Sequence, residues 1–303
     1  ALTPALVAST ASITPSPGQT QTVSLAPSAT LSPTLPPSPE PTETSTRAPV
    51  PTLTAHPTAT ATAVGMNVPG SDKIVFASQH LNPAGELSVM DLTTRRVLRL
   101  IGNLIVENLY PSLSPDGTRV VFSSRVDGNF ELFSMKVDDE TLVGFPEDLE
   151  MTLEPFDWLE KLQITRLTWT DYDETFPAWS KDGAFIAYIG ELTPVAELFV
   201  MPAEGGEAVQ LSQDLFARAP DWAPDGQRIV FEDWSDGGGA DLAWITASGG
   251  ERHKLTATLG EDEESPAWSP DGTQIAFCKH YEQQVEIAVM PAAGGPAQRL
   301  TNH

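Results

Sequence analysis

Cysteine, positive charge and long apolar runs are all scarce in this chain, and each shortage narrows what it can be. Cys278 is the single cysteine among 303 residues, so no disulfide framework holds the fold. Within the apolar phrase "IAFCKH" it reads as a small buried hydrophobe rather than a nucleophile. No apolar run reaches the eighteen or so residues that a membrane span needs. Seventeen Lys and Arg stand against 41 Asp and Glu, a formal charge of −24. Such a surface repels phosphate backbones and anionic lipid heads, which argues against nucleic acid and simple membrane adsorption. Basic protein segments or a divalent cation suit it better, and acidity by itself also keeps a protein soluble.

Catalytic phrases are scarce too. The chain has no G-x-S-x-G elbow, no H-E-x-x-H, no P-loop and no dinucleotide fingerprint. Its five histidines, His56, His80, His253, His280 and His303, are scattered. A metal site built by His80, His253 and His280 from separate repeats is conceivable, but no ligand spacing announces one, and no cofactor is expected. The expectation is a chain without catalytic residues.

What is present divides in two. Residues 1–64 carry only Glu40, Glu43 and Arg47 as charged groups in a background of Thr, Pro, Ser and Ala. Such a segment buries too little apolar surface to offset its backbone entropy and is expected to be an extended linker. The remaining −23 of the charge sits beyond residue 70. The chain starts at Ala1, and Thr/Pro-rich stalks commonly separate an anchor or export signal from an outer domain. The expectation is a processed or partial chain whose folded part, residues 65–303, works outside the cytoplasm, tethered upstream.

That folded part repeats itself. "PSLSPDG" at Pro111 returns as "PAWSKDG" at Pro177, "PDWAPDG" at Pro220 and "PAWSPDG" at Pro266. After each comes an apolar run ("RVVF", "FIAY", "RIVF", "QIAF"), with an earlier "KIVF" at Lys73. An acid-led phrase follows, from Glu86, Glu131, Glu197, Asp241 and Glu286, and then a short phrase centred on Leu100, Leu167, Leu211, Leu255 and Leu300. From the end of the third phrase to that leucine the spacing is 10, 32, 10, 10 and 10 residues. One unit has been copied five times, with a 22-residue insertion in the second copy.

Each phrase is a short run of β-branched, aromatic or leucine residues bounded by Gly, Pro and Asp, which reads as a strand. Four strands per roughly 45 residues is the period of a β-propeller blade. "SPDG" supplies the tight turn between first and second strands, with Pro115 at its first corner and Gly117 accepting positive φ. Trp179, Trp222 and Trp268, with Leu113 as the fourth, hold one position in the first strand and are expected to wedge each blade onto its neighbour. Ligand stacking is the sharper alternative for them. The predicted fold is an all-β propeller of five four-stranded antiparallel blades, or six with one lost. The blades fall at 65–104, 105–170 with the insertion at 138–160, 171–214, 215–259 and 260–303. Asn67 takes the tryptophan position in a degenerate first strand of blade I.

The phrase P-x-W-S-P-D-G-x-x-I-A-F, followed by E-L-x-V-M and R-L-T, resembles the repeat of TolB-like β-propellers, relatives of WD-type repeats, over about residues 65–303. The resemblance implies a periplasmic or extracytoplasmic domain that binds a protein or senses. Two enzyme alternatives come with it: a propeller lyase, or the propeller of an α/β-hydrolase-type peptidase whose catalytic domain lies outside this sequence.

If the first strand lines the channel, the loops entering it share one face with those between second and third strands. The expected binding residues at that mouth are Glu107, Arg125, Asp171, Asp173, Glu174, Asp214, Arg218, Trp234, Asp262, Glu263 and Tyr281. Clustered acids with aromatics focus a field on an incoming positive group. The competing expectation is that these are solvated loop charges, some of them accepting backbone N–H bonds between blades. A protein or peptide partner, or a divalent cation in the channel, is expected of a monomer that does not itself insert into a membrane. The insertion, with Phe156, Trp158 and Leu159 as an apolar corner, is expected to pack on its own blade at the opposite face.

Overall fold

The computed structural model describes residues 73–78, 86–101, 106–137, 163–258, 260–281 and 284–302. They form five antiparallel sheets in chain order, each strand pairing with the next. Blade I contains β1 (Lys73–Ser78), β2 (Glu86–Asp91) and β3 (Val97–Ile101). Blade II contains β4 (Asn108–Leu113), β5 (Arg119–Ser124), β6 (Glu131–Lys136) and β7 (Thr165–Arg166). Blade III follows with β8 (Asp173–Trp179), β9 (Phe185–Glu191), β10 (Ala196–Pro202) and β11 (Val209–Gln210). Blade IV has β12 (Ala217–Trp222), β13 (Arg228–Asp233), β14 (Asp241–Thr246) and β15 (His253–Lys254). Blade V closes the list with β16 (Glu263–Trp268), β17 (Gln274–Tyr281), β18 (Gln284–Pro291) and β19 (Gln298–Arg299). The first strand expected for blade I near Asn67 and the insertion at 138–160 lie outside the described residues.

The repeated phrases do the structural work that their chemistry allows. In "SPDG" the Ser114 hydroxyl donates to Asp116 Oδ1 at 2.6 Å and accepts from Arg119 N–H at 2.9 Å, while Gly117 N–H closes the turn on Ser114 O at 2.8 Å. Gly117 sits at φ 70°, a left-handed conformation that a side chain would strain. The same constellation recurs at Ser180–Asp182 and Ser269–Asp271. At Asp271 the hydroxyl of Ser269, with the amide and hydroxyl of Thr273, holds the carboxyl down at about 2.

A second lock is visible only in three dimensions. The acid that leads the third strand reaches the base in the fourth: Glu86 to Arg99 at 3.4 Å, Glu131 to Arg166 at 3.0 Å, Asp241 to Lys254 at 2.8 Å and Glu286 to Arg299 at 2.6 Å. Blade III has Gln210 in place of the base, and there Glu197 accepts instead from the Ser212 hydroxyl and from Leu215 N–H. The amide after the acid donates to the hydroxyl that ends the phrase, Leu132 to Thr168, Leu198 to Ser212, Leu242 to Thr256 and Ile287 to Thr301, all at 2.8–2.9 Å. Glu131, Glu197 and Glu286 are buried, so each charge needs these partners.

Blade contacts repeat as well. The leading face of one blade offers three apolar residues, and the trailing face of the next seats its own three on them. Val121, Leu132 and Leu167 of blade II receive Trp179, Ile186 and Tyr188 of blade III. Ala187, Leu198 and Leu211 of blade III receive Trp222, Ile229 and Phe231 of blade IV. Val230, Leu242 and Leu255 of blade IV receive Trp268, Ile275 and Phe277 of blade V. Val75, Leu87 and Leu100 of blade I receive Leu113, Val120 and Phe122. The tryptophans are thus the expected wedges. A buried aromatic removes about 150–250 Å² from water, which at roughly 25 cal/mol/Å² is at most about 4–6 kcal/mol each. Trp179 and Trp222 also donate their indole N–H to the preceding blade, to Ser112 O at 3.1 Å and Ala178 O at 3.2 Å.

The inner strands carry a feature that periodicity did not announce. Each of β4, β8, β12 and β16 has a register shift, and Tyr110, Phe176, Ala219 and Ser265 stand there at φ 52°, 52°, 44° and 52°. Each immediately precedes the proline of the repeated phrase, a residue that cannot donate to a ladder, so a bulge at this point spares the sheet an unmade bond.

Candidate functional site

The mouth loops gather around the junction of blades II and III. Arg125, at the end of β5, lies 3.4 Å from Glu107 and 3.5 Å from Asp173, with its guanidinium 4.3 Å over the Phe130 ring. Asp173 uses its other oxygen to accept Phe130 N–H at 2.7 Å. Asn129 donates its amide to Glu131 Oε1, Thr170 O and Tyr172 O at 2.9–3.1 Å, tying the loop of blade II to the chain entering blade III. Between these loops and the β9–β10 loop opens a cleft of about 490 Å³, lined by Asn129, Asp171, Tyr172, Asp173, Glu191, Leu192 and Thr193. Its wall depends on Gly190, where a Cβ would strike the Tyr172 and Phe199 rings at 2.8–2.9 Å.

Two bulge residues meet across the junction of blades II and III, with the Tyr110 and Phe176 ring centroids 4.0 Å apart. Burial raises the Tyr110 phenol above its ordinary value; Glu191 and Glu107 add to the effect and Arg218 opposes it. Acids from blades II and III therefore act on one phenol together with a cation from blade IV.

The expected residues separate into distinct roles. Glu107, Arg125 and Asp173 are joined, and Asp171 and Asp173 share the cleft. Asp214 and Arg218 are exposed, with Arg218 5.9 Å from the Phe216 ring. Trp234 donates to Glu232 at 3.2 Å, and Glu232 accepts Ser265 N–H at 2.8 Å from the next blade. Asp262 accepts Ala240 N–H at 3.0 Å. Asp173 and Asp262 thus bridge blades through backbone amides, the competing expectation for these acids. Tyr281 lies under Arg299, 4.8 Å from its ring, at the outer side of blade V.

Glu174 and Glu263 need correction as contact residues, because both are buried. They sit at the position of the inner strand that turns toward the neighbouring blade. Glu263 is held by Lys279 at 2.7 Å. Among the described residues Glu174 meets no cation, and neither oxygen meets a donor in good hydrogen-bonding geometry. Burial pushes its carboxyl up to about 8, with nearby Glu131 adding to the effect and the Thr168 and Thr170 hydroxyls opposing it, so at neutral pH it holds its proton. Cys278 also departs from the expectation of a buried side chain, being only partly covered.

Asn129, Tyr172, Glu191 and Tyr110 were missed among the candidates. Asn129 and Tyr172 lie in loops and Glu191 ends β9, but nothing in their type distinguishes them from their neighbours. Of the three histidines considered for a metal, His80 lies outside the described residues, His253 stacks on Trp244 at 4.2 Å, and His280 faces Glu264 at 3.3 Å. Among the described residues no group of three or more His, Cys, Asp or Glu is arranged to hold a metal ion.

Five successive antiparallel sheets, packed face to face through their wedges, define a β-propeller. Residues 177–303 match the family model described as the TolB beta propeller domain. The chain is 33% identical over 84 residues to the Tol-Pal system protein TolB of Francisella tularensis subsp. holarctica, covering 27% of this chain and 19% of that protein. It is 25% identical over 214 residues to the uncharacterized peptidase YuxL of Bacillus subtilis, covering 57% of this chain and 29% of that one. The crystal structure of TolB from Acinetobacter baumannii superposes with a TM-score of 0.58 at 16% identity, covering 77% of this chain and 53% of that one. The folded part of the chain is a TolB-like β-propeller. It spans less than a third of the length of the two relatives matched by sequence.

Proposed function

We propose that this propeller is a non-enzymatic binding or sensory module, held outside the cytoplasm on its Thr/Pro-rich segment, whose mouth receives a basic or polar segment of a protein partner. The observation that carries the reading is the cleft between blades II and III, where Asp171, Asp173 and Glu191 surround an aromatic, Tyr172, and an amide, Asn129. Carboxylates around a small concave surface draw a cationic side chain and orient it, and the aromatic supplies a face for its aliphatic stem. Likeness to a Tol-Pal system protein supports both a protein partner and an extracytoplasmic setting.

The test uses residues that do not hold the blades together. Asp171 and Asp214 are both exposed. The double variant Asp171→Lys with Asp214→Lys is expected to fold as the parent by circular dichroism and to lose at least tenfold in the capture of its partner from envelope extract. Unchanged capture by the folded variant removes the mouth as the binding surface.

The similarity to YuxL favours one alternative, a propeller that precedes a peptidase domain. A nucleophile elbow in the coding sequence downstream of His303, with peptidase activity in the full product, would establish it in place of the first reading.

A further inference from the structure

One large apolar side chain is exposed where the repeat calls for none. Blades II to V each close with a hydroxyl that accepts the amide following the third-strand acid, from Thr168, Ser212, Thr256 and Thr301. The next residue faces solvent in all four: Trp169, Gln213, Ala257 and Asn302. Such a position asks nothing of its side chain beyond solubility, which glutamine, alanine and asparagine satisfy. Trp169 is 71% exposed, the most exposed large apolar side chain among the described residues. The wedge tryptophans Trp179, Trp222 and Trp268 are 5%, 1% and 7% exposed, the ordinary state of this residue type. The fold has no use for an indole at residue 169.

The segment that displays it, between β7 and β8, is pinned along its length. Arg166 donates Nε–H to Thr168 O at 2.8 Å, and its guanidinium carbon lies 5.6 Å from the Trp169 ring. Thr170 donates its amide to buried Glu131 at 2.8 Å and its hydroxyl to Tyr172 O at 3.0 Å. Asn129 holds Thr170 O and Tyr172 O, and Asp173 accepts the Phe130 amide. A loop fixed in this way presents its indole in one place, so little conformational freedom is lost when a partner covers it. The same bonds tie Trp169 to the cleft, which Asn129, Asp171 and Tyr172 line. Asp171 stands two residues beyond Trp169, and Cα atoms two residues apart are separated by no more than about 7 Å.

We propose that Trp169 is the apolar anchor of the partner-binding surface, and that the partner is an extended basic protein segment touching it at two points. An arginine or lysine of that segment enters the cleft among Asp171, Asp173 and Glu191, whose charge selects it. An aliphatic side chain about two residues away, which an extended chain turns to the same face, covers the indole. Tryptophan is among the residue types that most often dominate a protein contact. The inference rests on the cleft's binding role and adds to it a second contact and a spacing.

The probes are fluorescein-labelled Gly/Ser nonapeptides that carry Arg and Leu two residues apart, Arg alone or Leu alone, read by polarisation with the full chain. The peptide with both is expected to bind about tenfold more tightly than the one with Arg alone, and Trp169→Ala, melting as the parent does, is expected to erase that difference. Acrylamide quenching of tryptophan fluorescence is expected to fall when the two-point peptide binds the parent and to stay constant in Trp169→Ala. Asp171→Lys, run alongside, separates the two readings. Loss of binding with Asp171→Lys and none with Trp169→Ala overturns the anchor and leaves the cleft standing, whereas no loss with either removes both. Equal weakening of the Arg-alone peptide by Trp169→Ala places the cation on the indole and overturns the apolar contact. Identical acrylamide quenching of free parent and free Trp169→Ala means that the chain already covers the indole, which also overturns the proposal. Binding by none of the peptides does the same, as does shielding of the indole by cellohexaose in their place, which assigns Trp169 to a neutral glycan.

Discussion

The junction of blades III and IV and the free face of blade V are written in nearly the same residues, yet one is core and the other is surface. Leu198 and Ile287 each follow a buried acid, and each donates its amide to the hydroxyl at the end of the repeat. They differ only in what lies opposite, Trp222 for Leu198 and no described wedge for Ile287. Burial here is a property of a pair of sheets and not of the strand that contributes the side chain. A four-stranded sheet has two apolar faces, and blade V, with Ile287 46% and Leu300 56% exposed, displays on one of them what the junctions hide.

The comparison breaks most visibly at the wedge. Trp222→Ala is expected to cost about 3–5 kcal/mol in denaturant unfolding, because it removes buried surface and leaves a cavity between two blades. A loss under about 1 kcal/mol would mean that the blades are not held by their aromatics. Next comes the matched pair. Leu198→Ala is expected to cost about 2–5 kcal/mol, and Ile287→Ala, at an exposed position, no more than about 0.5 kcal/mol. Equal costs would show that the two faces are equally covered in solution.

The third prediction concerns charge at the junction of blades II and III. Glu174 keeps its proton to about 8 in the folded protein, whereas in the unfolded chain it ionises near the ordinary carboxyl value. Between those limits the native state binds the extra proton, so this group's contribution to stability falls as pH rises, by about 1.4 kcal/mol per pH unit at most. It levels off above the folded value. Glu174→Gln cannot ionise and is expected to remove that slope, melting above the parent at pH 8 and close to it at pH 4.5. Parallel pH profiles for parent and variant would show that Glu174 is ionised inside the fold.

The smallest expected effect is at the mouth. Arg218→Ala removes an exposed cation 5.9 Å from the Phe216 ring and is expected to change stability by less than about 0.5 kcal/mol. A larger loss would assign Arg218 to holding blades together rather than to receiving a partner.

Much of this architecture was legible in the repeats. The spacing of ten residues between third and fourth phrases counted the blades, and the single tryptophan position in each first strand named the wedges. The acids were harder to read. Asp171, Asp173 and Glu174 stand within four residues in one loop-to-strand segment, and the fold gives them three fates: lining the cleft, accepting a backbone amide of the preceding blade, and sinking into the junction as a neutral acid. Strand alternation sends adjacent side chains to opposite faces, but which face meets another blade is not written locally. Asn129 and Glu191 joined the site for the same reason, since they come from different blades and meet only where two loops cross.

The sequence by itself determined the unit: four strands, one aspartate-glycine turn and one wedge position in the inner strand. These depend on contacts within a single repeat, where spacing along the chain sets distance in space. Only the tertiary structure decided which carboxylates are surface and which are core, where the cleft opens, and that Ile287 and Leu300 are exposed. Those outcomes depend on the neighbouring blade, whose approach removes water from one side of a sheet and leaves it on the other.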